Sequence, residues 1–357
     1  MTTMKAVALR AGVSTATVSR VLSGDGSGVR QELRDRVREA ARELGYQPNQ
    51  LARNLRARTS RIVGLVISDI ANPYFTGIAR ACQDALQQHG YSLVLCNTDD
   101  DPDREAISLR ELAEERAAGV ILASGSAAGD EGTSHLAAAG IPLVAVDRHV
   151  RGLHLDCVTV DDETAAWRAT HHLVEAGHTR IGLLGGTSAL SNIRARHEGY
   201  VRALREARLP VDASLMLEGN LREPAGFAMA MELLDRPEPP TALFSVNIMT
   251  TVGMLRAIRD LRLGIPADVS IVGFDDVPMG ELLDPPLTVV RQPTYQIGAR
   301  AAQLLLRRIR EPDAPIQESM LSASLVVRRS TGRVGGMRTM RTRSSRARPD
   351  RRAAVDG

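Results

Sequence analysis

Hydrophobic residues in the first sixty positions recur at helical spacing. Met4, Val7, Ala8 and Ala11 stand at i, i+3, i+4 and i+7, the pattern of one buried helix face. Gly12 ends that helix, and Ser14 can cap the next by accepting from the backbone near Thr17. In the second stretch, "GVSTATVSRVLS", Val18, Val21 and Leu22 keep the period while Thr15, Ala16, Thr17, Ser19 and Arg20 lie between them. Hydroxyl residues compete for backbone hydrogen bonds and are mediocre helix formers, so their concentration on one outer face needs a reason beyond propensity. After the glycine-rich "SGDGSG", a third stripe of Leu33, Val37, Ala40, Ala41 and Leu44 runs to Gly45, a C-cap position. Three short helices with a tight glycine-containing turn between the first two predict a helix-turn-helix domain over residues 1–47.

The segment "QPNQLARNLRARTSR", residues 47–61, follows a different rule. Asn49 can cap a helix carrying Leu51, Ala52 and Leu55, but isolated helices shorter than ~12 residues are marginal in water. Its arginines, Arg53, Arg56, Arg58 and Arg61, point to a negatively charged surface as what folds it.

From Ile62 the texture changes to short β-rich runs alternating with amphipathic helices. "IVGLVIS", "SLVLCN", "GVILAS" and "PLVAV" read as strands, and the series starts again with "CVTV", "RIGLLG", "TALFSV" and "VSIVGF". Such alternation implies parallel sheets covered on both faces, and two series imply two similar lobes. Ligands of such sheets sit beyond the carboxyl ends of the strands, here in a cleft between lobes. The expected fold class is therefore α/β: a three-helix DNA-binding-type head and a two-lobed domain of doubly wound parallel sheets. The expected division is a head over 1–47, a hinge over 48–61 and a body over 62–333. Within the body, lobe one takes about 62–160 and 292–318 and lobe two about 161–291 and 319–333. The tail, 334–357, is Arg-rich with almost no apolar content and is expected to be disordered.

Charge sharpens this division. The net charge of the 357 residues is only +3, yet residues 1–60 hold 11 Lys and Arg against 5 Asp and Glu. Residues 336–357 hold 7 Arg against 2 Asp, and the stretch between is net acidic at −8. A basic head on an acidic body points to a polyanion at one end. The tail's arginines fit either non-specific contact with DNA or a solvated end, and the second is favoured. No apolar run reaches membrane-spanning length and no basic-then-apolar leader opens the chain, so a cytoplasmic protein without membrane contact is expected. Cys82, Cys96 and Cys157 have no paired spacing and read as buried small hydrophobes.

The order of motifs resembles the LacI/GalR-type bacterial transcription repressors from about Thr3 to Arg333. The most specific run is "AGVSTATVSRVLS", then "ELGYQPNQLARNLR" and "IVGLVISDIANPYF"; "EAGHTRIGLLGG", "GIPADVSIVGFDD" and "PPLTVVRQP" follow. The resemblance implies a periplasmic-binding-protein-like body and a repressor that binds a pseudo-palindromic operator in double-stranded DNA as a homodimer. It implies a small-molecule effector, a sugar or related metabolite; His171 and His172 are adjacent and so point to different sides of a helix, and the other six His are scattered, so no metal site is expected, nor a cofactor.

The resemblance gives the polar helix a mechanism. The major groove admits one helix and is read by short polar groups, methyls and arginine. Arg20 suits guanine O6 and N7, Ala16 and the Thr15 methyl suit a thymine methyl, and Ser14, Thr17 and Ser19 suit phosphates. The hinge residues Ala52, Arg53, Leu55 and Arg56 are implied to reach the minor groove, with Leu55 driven between base pairs as a wedge. In the body, the implied effector positions are Tyr74, Phe75, Asp147, Asn192, Arg196, Leu221, Asn247 and Asp275. Arg196 could hold hydroxyls or a carboxylate, Asp275 could accept from hydroxyls, and Tyr74 and Phe75 could stack on a ring.

Several positions depart from the family pattern. Ile248 follows Asn247 where relatives have Asp, Leu221 stands for an aromatic residue, and Asp162 stands for Asn. In the head, Ala6 replaces the Asp that would complete a capping box with Thr3, and Arg30 replaces the Ser that caps the third helix. Enzyme readings find no support: "GLLGG" lacks the G-x-G-x-x-G spacing, and no P-loop or nucleophile elbow occurs. A periplasmic sugar-binding protein would share the lobes without the head, and an architectural DNA-binding protein would share the head without the cleft.

Overall fold

The computed structural model describes residues 3–22, 28–46, 60–125, 131–150, 152–276 and 278–336. It divides into two compact units, residues 1–60 and 61–357.

The first unit is three helices, α1 (Met4–Ala11), α2 (Thr15–Leu22) and α3 (Gln31–Glu43). Val7, Ala8, Ala11, Val18, Val21, Val37, Ala40 and Ala41 form its core, the apolar stripes of the sequence turned inward. Gly12 takes φ +65° to turn the chain between α1 and α2, and the Arg36 guanidinium donates to Ala11 O at 2.6 Å, closing the α1 C-terminus. Both departures at the caps have the expected physical result. Thr3 Oγ1 still accepts from Ala6 N at 3.3 Å, but Ala6 returns no side-chain bond, and Arg30 makes no side-chain cap to α3.

The second unit holds two six-stranded sheets. Sheet one is built from β1 (Ile62–Ile67), β2 (Ser92–Asn97), β3 (Gly119–Leu122), β4 (Leu143–Val146), β5 (Asp156–Val160) and β11 (Glu318–Leu321), in the order β11-β5-β4-β3-β1-β2. Sheet two is built from β6 (Ile181–Gly186), β7 (Met216–Gly219), β8 (Ala242–Ser245), β9 (Ser270–Phe274), β10 (Thr288–Arg291) and β12 (Ser324–Val326), in the order β12-β10-β9-β8-β6-β7. All pairings are parallel except β10 with β12. Central strands such as β3 and β9 are buried at every position, as strands covered on both faces must be, whereas the edge strand β11 alternates exposed and half-buried.

The covering helices of lobe one are α4 (Pro73–Gln88), α5 (Pro102–Glu114), α6 (Glu131–Ala138) and α11 (Thr294–Arg310); those of lobe two are α7 (Asp162–Glu175), α8 (Ser191–Glu206), α9 (Glu223–Leu234) and α10 (Ile248–Asp260). Neighbouring helices pack backbone to backbone where glycine permits: a Cβ at Gly199 of α8 would fall on Glu163 O and Trp167 N of α7.

The chain crosses between lobes after β5, after β10 and between β11 and β12. The last crossing corrects the expected boundary at 318/319, because Leu321 still pairs with Val160 in sheet one. The expected disordered tail also begins too early. Residues 334–336 form a turn in which Val334 N donates to Ala176 O at 3.1 Å, and residues 337–357 lie outside the described part. Among the described residues no helix is long and apolar enough to cross a membrane.

Candidate functional site

Ser14 Oγ starts α2 by accepting from Thr17 N at 3.1 Å, and it lies 2.9 Å from Thr17 Oγ1. Val18 and Val21 are then buried against α1 and α3, while Thr15, Ala16 and Arg20 stay exposed and Thr17 and Ser19 are half-buried. The exposed residues are the small, methyl-bearing and guanidinium side chains that a major groove accommodates. Ala52, Arg53, Leu55 and Arg56 lie outside the described residues.

In the body, the eight expected effector positions line one narrow cavity between the lobes. Both sheets share one strand order, 2-1-3-4-5 within each lobe, whose switch point lies between the first and third strands, where such sheets bind ligands. Asp147 follows β4, Asn247 follows β8 and Asp275 follows β9, while Tyr74 and Phe75 open α4 and Asn192 and Arg196 open α8. Asp147, Leu221 and Asp275 hold left-handed backbone at φ +72°, +60° and +73°. Non-glycine residues in that region cost energy, and they cluster where a strand end must re-aim a side chain.

Arg196, only 3% exposed, is largely committed to the protein. Its Nε donates to Asp162 Oδ1 at 2.8 Å, its second terminal nitrogen lies 2.8 Å from the same oxygen, and the third donates to Val246 O at 2.6 Å. The guanidinium also lies 3.7 Å above the Phe274 ring. A planar cation stacked on an aromatic face and paired in plane is rigid, and its remaining N–H groups are left for a ligand. Asp147 accepts from Arg148 Nε and from Asn192 Nδ2, each at 3.0 Å, and Gln292 Nε2 donates to Asp275 at 2.7 Å. Asn247 has both ends of its amide in use: Oδ1 caps α10 through Thr250 N at 2.8 Å, and Nδ2 holds Leu221 O at 2.9 Å.

Burial outruns the pull of Arg196 and pushes the Asp162 carboxyl up to about 7, and it pushes Asp275 up to about 6. Burial, then the Asp147 charge, also raises the Tyr74 phenol, whose buried oxygen faces the Asp147 carboxylate without a well-formed hydrogen bond. Such a hydroxyl at the wall of a cavity is an open hydrogen-bonding position.

Residues 3–49 match the family described as bacterial regulatory proteins, lacI family, and residues 170–331 match the periplasmic binding protein-like domain. The HTH-type transcriptional repressor PurR of Haemophilus influenzae is 33% identical over 335 residues, covering 92% of this chain and 98% of that protein. The chain belongs to the LacI family. Among LacI-type solved structures, the lac repressor dimer bound to operator and the anti-inducer ONPF superposes with a TM-score of 0.80 at 28% identity, covering 93% of this chain and 99% of that one. The transcriptional regulator CelR in complex with cellobiose superposes at 0.70 with 31% identity, covering 92% of this chain and 100% of that one.

Reading the sequence against the LacI pattern missed part of the cavity wall. Ser68, Asp69, Asn72, Asp100, Arg148, Arg222 and Gln292 also line it, and Asp162 stands behind Arg196. Asp69, Arg148 and Gln292 were within reach of the strand-end rule, since each lies within two residues of a strand's carboxyl end. Asp100 and Arg222 carry no comparable signal.

Proposed function

We propose that the chain is a cytoplasmic transcriptional repressor that binds a pseudo-palindromic operator as a homodimer and whose DNA affinity is set by a small-molecule effector in the inter-lobe cleft. The observation that carries this reading is the combination, in one LacI-family chain, of an exposed helix face of Thr15, Ala16 and Arg20 with a buried polar cleft at the strand ends of both lobes. One helix spans too few bases for specificity, and two-fold symmetry supplies the second half-site. Arg20 reads guanine, Thr15 and Ala16 meet thymine, and Ser14, Thr17 and Ser19 hold phosphates. Ala52, Arg53, Leu55 and Arg56 act in the minor groove, with Leu55 as the wedge.

The cleft chemistry favours an uncharged sugar or sugar derivative. Asp147 and Asp275 stand with Asp162 around Arg196, and Asp162 and the Val246 carbonyl already take up its donors, so the arginine offers hydrogen bonds rather than an uncompensated charge to a carboxylate or phosphate. Asp147, Asp275 and the Tyr74 hydroxyl suit ligand hydroxyls, and Phe75 and Leu221 supply apolar wall. Effector binding changes the lobe arrangement, and operator affinity changes by the coupling energy between the two sites.

The test is a thermal-shift panel of sugars, polyols and nucleobases on the full chain, followed by operator titration with each stabilising compound. A compound that stabilises wild type should lose that effect in Arg196→Ala and should shift the operator dissociation constant. Stabilisation fully retained in Arg196→Ala rejects this placement of the site. An unmoved operator constant rejects the linkage.

A further inference from the structure

Arg222 crosses the mouth of the cleft. It belongs to lobe two, immediately after Leu221 and at the N-cap of α9, where it makes no cap of its own. Its side chain, 24% exposed, reaches lobe one, where one terminal nitrogen lies 2.5 Å from Asp69 Oδ2. The other donates to Ser68 O at 3.2 Å and to Asp99 Oδ1 at 3.4 Å, and lies 4.0 Å from Asp100 Oδ2.

The receiving surface is built rather than incidental. Asp69 Oδ1 is fixed by Ala71 N at 2.9 Å, and Asn97 holds the loop on both sides, accepting from Ile70 N at 2.7 Å and donating to Asp99 at 3.0 Å. Asp99 and Asp100 both hold left-handed backbone at φ +58°, which gathers their carboxylates toward one point. Leu221, at φ +60° and with its carbonyl tied to Asn247, aims the arginine across the gap. Among the described residues, other cross-lobe bonds near this cleft come from neutral donors, Asn192 to Asp147 at 3.0 Å and His149 N to Ser191 Oγ at 3.2 Å.

We propose that Arg222 is a built-in latch: its ion pairs with Asp69, Asp99 and Asp100 hold the two lobes together across the mouth of the cleft, and the effector enters only when they break. The guanidinium matches several carboxylates at once, so the clamp has a fixed geometry that a lysine ammonium does not reproduce. Its setting is partly open to water, so salt weakens it. Opening and closing of such lobes is an equilibrium between states close in energy, which one ionic clamp is sufficient to bias.

The experiment measures the distance between lobes directly. Spin labels carried by unnatural amino acids at Gln88, the exposed end of α4, and at Asp260, the exposed end of α10, report closure from points remote from the latch. Labelled full-length chain is diluted into unlabelled chain, without effector. Wild type should give one narrow, short distance at about 0.05 M salt and a longer, broader one at about 1 M, where the Debye length falls to about 3 Å. Arg222→Met should give the longer distribution at both salts, Arg222→Lys an intermediate one, and Asp69→Asn should repeat the effect from the opposite lobe. Identical distributions in wild type and Arg222→Met overturn the latch, as does a wild type already open at low salt. The role in effector entry rests on the cleft being the effector site, but the lobe distance does not: ligand stabilisation fully retained in Arg196→Ala rejects that reading and leaves the latch standing.

Discussion

Arg20 is the long cationic side chain on the exposed face of α2, among Thr15, Ala16, Thr17 and Ser19. A bidentate arginine–guanine pair is worth about 1–3 kcal/mol, so Arg20→Ala should lower affinity for the preferred operator by roughly 5- to 150-fold for each half-site while relaxing preference at one base pair of each. Competition binding with operators altered at each position checks this. A uniform loss across all sequences would make Arg20 a phosphate contact. Asp162 carries a prediction of a different kind. Its carboxyl, raised to about 7 by burial, keeps a proton that the unfolded chain releases near its ordinary value of about 4. The folded state therefore binds more protons across that window, so stability contributed by Asp162 is full at the acid end and is lost as the pH rises from about 4 to about 7. The urea midpoint of wild type, measured relative to Asp162→Asn, should fall between the two ends of that range, and a constant difference would contradict it. Asp162 also shows what one sequence conveys at this scale. Its departure from Asn was visible, but its role as the partner of Arg196 was not, because the two residues are 34 positions apart and meet only when α7 and α8 pack.

Elements bring such residues together, and their packing has its own limits. The α7–α8 crossing is close because Gly199 has no side chain: its Cβ would meet backbone atoms Glu163 O and Trp167 N, which cannot rotate away. Gly199→Ala should destabilise the body by about 1–3 kcal/mol, the usual range for overpacking, read from the urea midpoint of the full chain. Because this crossing places Arg196 against Asp162, the same variant should weaken effector response more than operator affinity. The hinge segment belongs to this scale too. Its sequence pattern, Leu51, Ala52 and Leu55 among arginines, predicts a helix too short to be stable alone, and in the proposed reading DNA supplies the missing contacts. Leu55→Ala should weaken operator binding and leave effector-induced thermal shifts unchanged; equal operator affinity for both proteins would remove the wedge.

At the scale of the whole molecule, most of the architecture was readable because its signals are periodic or local. The helical stripes of Val7, Val18 and Val37 form the core of the head, and the apolar strand runs form two sheets of like order. The strand-end residues Asp147, Asn247 and Asp275 reach one cavity because parallel sheets put all their carboxyl ends on one side. What escaped was non-local. β11 was assigned to the wrong lobe because the Glu318–Leu321 segment is short and amphipathic, and only its pairing with β5 decides its sheet. Arg222 and Asp99, 123 positions apart, share no pattern that would join them. In the proposed function two copies of α2, presented by one dimer, read two related half-sites. Selection of random duplex DNA by the full-length chain, followed by sequencing, tests this most directly. It should enrich a pseudo-palindrome whose half-sites are related by a two-fold axis, and the enrichment should be lost with Arg20→Ala. A pool without consensus, or an asymmetric single half-site, would contradict the account.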